Sequence, residues 1–150
     1  MTRLDVRWYE LLDAYQGIAS DDPELAPLLR LDNSQVSCRA MIGDDDVPVV
    51  QIPVKGAVRS FEQRRAFAES LCEPVLRNAI HAALDGPGPF RAFDQALAQV
   101  PIEAERWIEE ERIQDVEQLY GWLRRAGVEP EPAPDTSRKI IEFPIRRETT

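Results

Sequence analysis

Between residues 55 and 60 the spacing of apolar residues changes period. Before that point Val36, Cys38, Ala40 and Ile42 alternate with Ser37, Arg39 and Met41, the repeat of a half-buried strand. After it, apolar residues recur three and four apart over long stretches, the repeat of one helix face. Strands first and helices afterwards build an α+β fold, in which the two kinds of element segregate, rather than an alternating parallel sheet. The expectation is a small antiparallel meander packed by four or five helices.

The strand-patterned half begins with a helix. Asp5 is read as its N-cap, with Trp8, Leu11, Leu12 and Tyr15 on one face and Gly17 as the stop. Ser20-Asp21-Asp22-Pro23 reads as loop. Three strands are then expected: 28–32, 36–42 and 49–54, joined by turns at Asn33-Ser34 and Gly43-Asp44-Asp45-Asp46. Pro53 has no amide hydrogen, which puts the end of the third strand at an edge or a bulge. Three consecutive aspartates point in different directions on an extended chain, so Asp44, Asp45 and Asp46 read as a solvated turn rather than a calcium loop.

In the helical half, Ser60 and Gln63 fit a capping box, and Phe61, Phe67 and Leu71 supply apolar surface behind it. Pro74 suits a first helical position, with Leu76, Ala79, Ile80, Ala83 and Leu84 along the buried face. Gly86-Pro87-Gly88-Pro89 breaks that helix, and the next carries Phe90, Phe93 and Leu97. Pro101 opens a further one, where Ala104, Trp107 and Ile108 are followed at the same period by Val116, Leu119, Tyr120 and Leu123, up to Gly127. The pattern leaves open whether 102–126 is one helix or two, with Glu109-Glu110-Glu111-Arg112 as the point of division. Phe90, Phe93, Trp107 and Trp122 read as scaffold.

Past residue 128 the composition shifts. Residues 1–128 read as a single domain, and Glu129-Pro130-Glu131-Pro132-Ala133-Pro134 as a stiff linker. Lys139-Ile140-Ile141-Glu142-Phe143-Pro144-Ile145-Arg146 is strand-like and echoes Val49-Val50-Gln51-Ile52-Pro53-Val54-Lys55. Ile140, Ile141 and Phe143 are the tail's candidate interaction residues, expected to dock on a sheet edge of the same chain or of a second copy.

Length and charge bound the rest. A chain of 150 residues with 43% hydrophobic and 30% charged residues can bury a core without staples. Met1-Thr2-Arg3-Leu4-Asp5 opens no signal peptide, and no run of 18 apolar residues spans a bilayer, so a soluble cytoplasmic protein is expected. Cys38 and Cys72 read as small buried residues, and His81, the chain's one histidine, as a solvated or core-edge side chain. No metal or cofactor is expected. A formal charge of −9 opposes direct binding to nucleic acid and to anionic membranes.

Gly86-Pro87-Gly88-Pro89-Phe90-Arg91-Ala92-Phe93, with Trp107 and Trp122-Leu123 downstream, resembles the signature of bacterial uncharacterised protein family 0158. There a Gly-x-Gly-x-Phe-Arg-x-Phe motif opens a helix, and the likeness in organisation covers roughly residues 4–128. The resemblance implies a bacterial protein with this layout and implies no activity. Family members often carry bases where this chain has Pro87, Ala92 and Asp94, and Pro87 and Pro89 lack the amide hydrogens an anion cradle needs. Arg91 is the motif's candidate interaction residue, through a salt bridge to a carboxylate or by facing a ligand.

Three functions fit these observations. The first is a non-catalytic protein-interaction or regulatory module, with a protein partner or a homodimer. The second is a small enzyme using carboxylates and arginine, such as Glu110, Glu111 and Arg91. The third is an acidic mimic of nucleic acid. With 27 acidic residues in the chain, carboxylate pairs arise by chance, which favours the first.

Overall fold

The computed structural model describes residues 1–137 and is a mixed α+β structure; Ile140, Ile141 and Phe143 lie outside the described residues. It divides into two compact units, one built from Met1–Glu62 and Arg112–Thr136, the other on Gln63–Glu111.

The first unit opens with a strand the periodicity does not reveal. β1 (Thr2–Asp5) pairs in parallel with β5 (Val128–Glu131), in the register Thr2 with Val128 to Asp5 with Glu131. Asp5 therefore belongs to a strand, and Arg7 takes the N-cap position of α1 (Trp8–Gln16). The stretch expected as the start of a linker is likewise β5. Thr2 N–H donates to Gly127 O at 2.9 Å and Val6 N–H to Glu131 O at 2.7 Å. That alternation turns the nitrogen of Pro130 away from β1, so its missing donor costs the ladder nothing. Trp8 Nε1 donates to Pro132 O at 2.9 Å and holds the following residues.

The antiparallel sheet has the order β3-β2-β4, from β2 (Leu28–Arg30), β3 (Val36–Ser37) and β4 (Val49–Gln51). The first strand is central, so the chain does not run through it as a consecutive meander. The second strand is also shorter than its alternation suggests, because α2 (Arg39–Ile42) follows at once. Cys38 and Ile42 share a strand face but are also helical i, i+4 neighbours, and Ile42 N–H donates to Cys38 O at 3.0 Å. Leu29, wholly buried, joins Leu4, Val6, Leu11, Tyr15, Ile52, Leu119, Leu123 and Val128 in the core of this unit.

α3 (Ala57–Glu69) starts a turn earlier than the capping box predicts: Gly56 O already accepts from Ser60 N–H at 3.1 Å, and Gln63 is buried. α6 (Pro101–Arg125) is one continuous helix. Glu109-Glu110-Glu111-Arg112 contains good helix formers and neither glycine nor proline, so charge alone does not break it. Gly127, with φ +83°, takes the left-handed turn after α6 that a side chain would resist.

The second unit packs α4 (Pro74–Asp85) and α5 (Pro89–Leu97) with parts of α3 and α6. Glu73 caps α4, its carboxylate accepting from Leu76 N–H at 2.7 Å, and Pro74 stands in the first turn as read. At the centre, Phe67, Phe93 and Trp107 meet edge to face, with centroids 5.2–6.3 Å apart. The Arg64 guanidinium lies 4.5 Å from the Phe90 ring centre, and that of Arg106 lies 4.3 Å from Phe67. Phe93 and Trp107 are buried, whereas Phe90 and Trp122 are half-buried. No helix among the described residues is long and apolar enough to cross a membrane.

Candidate functional site

In the first unit the most unusual chemistry is a buried ion pair. Lys55 Nζ lies 2.7 Å from Asp115 Oδ2, with side chains 3% and 0% exposed. Gln16 Nε2 donates to the same oxygen at 2.8 Å. Lys55 is placed by its own backbone, whose N–H donates to Tyr15 O at 2.6 Å just before α3 begins. Asp115 is placed by α6, on whose buried face it precedes Val116, Leu119 and Leu123. The cluster ties the end of α1, the segment before α3, and α6 to one carboxylate. It is enclosed, and its charges answer one another, as a structural tie requires.

The Tyr15 hydroxyl belongs to the same neighbourhood. Burial raises its pKa above the usual 10.0 and the Asp115 carboxylate raises it further, while a hydrogen bond from Arg59 opposes both. The folded state thus holds the phenol proton more tightly than the unfolded chain does. The stability linked to it is complete below pH 10.0 and is lost as pH rises through the higher folded value. Urea unfolding from pH 9 to 12 (roughly the span of phenol ionisation) should show a falling stability that Tyr15→Phe flattens. Identical slopes in the two proteins would remove Tyr15 from the alkaline transition.

The second unit carries a groove of about 530 Å³. Its walls are Leu71 at the end of α3, Leu76 in the first turn of α4, and Val100 and Ile102 at the start of α6. Exposed Cys72, together with Ser70, Glu73, Glu103 and Arg106, completes the lining. The polar members are engaged with the protein itself. Arg106 Nη2 donates to Glu103 Oε2 at 2.8 Å and to Ser70 Oγ at 3.1 Å, Ser70 Oγ donates to Phe67 O at 2.6 Å, and Glu73 caps α4. Apart from the exposed Cys72 thiol, the free surface of the groove is therefore apolar.

Arg91 stands exposed on α5. Cys72 is exposed and Cys38 half-buried, not the buried pair that composition suggests, because both fall in connections between elements. Among the described residues no three histidine, cysteine or acidic side chains come together as a metal site would require. Sequence reading missed both Lys55–Asp115 and the groove. An aspartate on the apolar stripe of α6 was the available signal for the first; the second arises only when α3, α4 and α6 pack.

Comparison with protein-family models, with curated proteins and with solved structures found no match for this chain.

Proposed function

We propose that this chain is a non-catalytic, cytoplasmic protein-interaction module, related to the bacterial uncharacterised proteins that its glycine-aromatic motif resembles. Its groove in the second unit receives a short partner segment bearing aliphatic side chains between basic residues. The observation that carries this reading is the division of chemistry within the groove. Leu71, Leu76, Val100 and Ile102 form the walls, while Arg106, Ser70 and Glu73 are engaged by the fold, which leaves the exposed Cys72 thiol beside a mainly apolar surface. The net charge of −9 selects the flanking bases by long-range attraction.

Ile102 is half-buried, so Ile102→Glu changes the groove with less disturbance than a change in the core. Calorimetric titration with peptides holding a Leu-Leu or Ile-Leu pair between arginines should show binding weakened at least ~10-fold in this variant, the ~1.4 kcal/mol expected for losing one apolar contact. Thermal melting should change little. Equal affinity for the two proteins would place the interface elsewhere.

A further inference from the structure

In the first unit α2 packs against the single turn Pro23–Leu25, and together with Gln51 of β4 they line a recess of about 490 Å³. The turn is fixed locally. Ser20 Oγ accepts from Asp22 N–H at 3.1 Å, and Asp22 Oδ1 accepts from Glu24 N–H at 3.0 Å. Asp22 is thus engaged by the backbone, while exposed Asp21 and Glu24 line the recess. Arg39, the first residue of α2, lines it too and is half-buried. Among the described residues no hydrogen bond or ion pair engages the side chains of Asp21, Glu24 or Arg39. Opposite charges therefore face one recess without neutralising each other, and a ligand bearing both charges can meet both at once.

A second recess of about 390 Å³ adjoins the first, sharing Ser20, Ala26 and Gln51 with it. Its other walls are mostly apolar, from Pro27, Ile52, Pro53 and Val54. The charged recess thus continues into one suited to hydrocarbon, the usual division of labour in a small-molecule site. We propose that this double recess binds a free α-amino acid with an aliphatic side chain. The forked guanidinium of Arg39 takes the carboxylate, Asp21 and Glu24 take the ammonium, and the side chain lies against Pro27 and Val54. A plain anion would leave the two acids unanswered, and a plain cation would leave the arginine so. Every residue involved belongs to the first unit, so this site stands or falls independently of the groove in the second.

Chemical-shift titration of the full chain with leucine tests this. The amides of Glu24, Arg39 and Gln51 should shift and saturate below about 10 mM, as for a small ligand in an open site. Leucine amide, which lacks the carboxylate, and N-acetyl-leucine, which lacks the ammonium, should each bind at least ~10-fold more weakly, and glycine more weakly than leucine. Arg39→Gln should weaken leucine at least ~10-fold and leave leucine amide unchanged, whereas Asp21→Asn/Glu24→Gln should do the same for leucine and leave N-acetyl-leucine unchanged. All three residues lie outside the core, and unshifted resonances of buried Leu29 confirm that each variant is folded. The proposal is overturned if leucine gives no saturable shift, if glycine or either blocked derivative binds as well as leucine, or if leucine binds both variants as it binds wild type.

Discussion

Lys55→Met should destabilise the protein by about 3–5 kcal/mol, because it removes a positive charge 2.7 Å from an Asp115 carboxylate that is 0% exposed. Methionine keeps the length and most of the volume of the lysine stem, so the loss reports charge rather than a cavity. Gln16 donates one hydrogen bond to the same carboxylate, which cannot replace a full positive charge. The double variant Lys55→Met/Asp115→Leu should recover most of the loss, since two apolar side chains of similar volume carry no desolvation cost. Urea unfolding of the two single variants and the double closes the cycle, and strong coupling between the sites is expected. A cost below about 1 kcal/mol for Lys55→Met would mean that water reaches the pair.

Phe93→Ala should cost about 3–5 kcal/mol, through lost burial and the cavity left between its neighbours. Phe93 is 0% exposed and meets both Phe67 and Trp107 edge to face, so truncation removes two aromatic contacts as well as apolar area. Phe90→Ala, at a half-buried position beneath Arg64, should cost clearly less. Equal melting of Phe93→Ala and wild type would show that the ring is not part of the scaffold.

The contrast between these residues shows what the sequence could convey. Phe93 and Trp107 lie on helical stripes bounded by Gly88-Pro89 and Pro101, and periodicity alone marks them as core. Asp115 lies on such a stripe too, but its partner is 60 positions away in a segment without periodicity. Only the folded chain brings that lysine to it. β1 is four residues with a single buried side chain, too short for alternation to be visible. In β5 the alternation of buried Val128 and Pro130 with Glu129 and Glu131 is present, but proline gives it the look of a linker. The centre of the antiparallel sheet escaped for a different reason: strand order depends on which strand buries Leu29 most deeply, a property of packing rather than of turn chemistry. The groove is a tertiary feature altogether, since Leu71, Leu76, Val100 and Ile102 sit on separate stretches, each of which reads as ordinary helix boundary.

On the proposed function, the groove of the second unit receives apolar side chains of a partner. Methyl-resolved NMR of the full chain tests this most directly, with the arginine-flanked Leu-Leu peptide as probe. Resonances of Leu71, Leu76, Val100 and Ile102 should shift progressively and saturate, while those of Ile18 and Met41, exposed in the first unit, stay in place. Shifts confined to Ile18 and Met41, or no saturable shift at any of these methyls, would contradict the account.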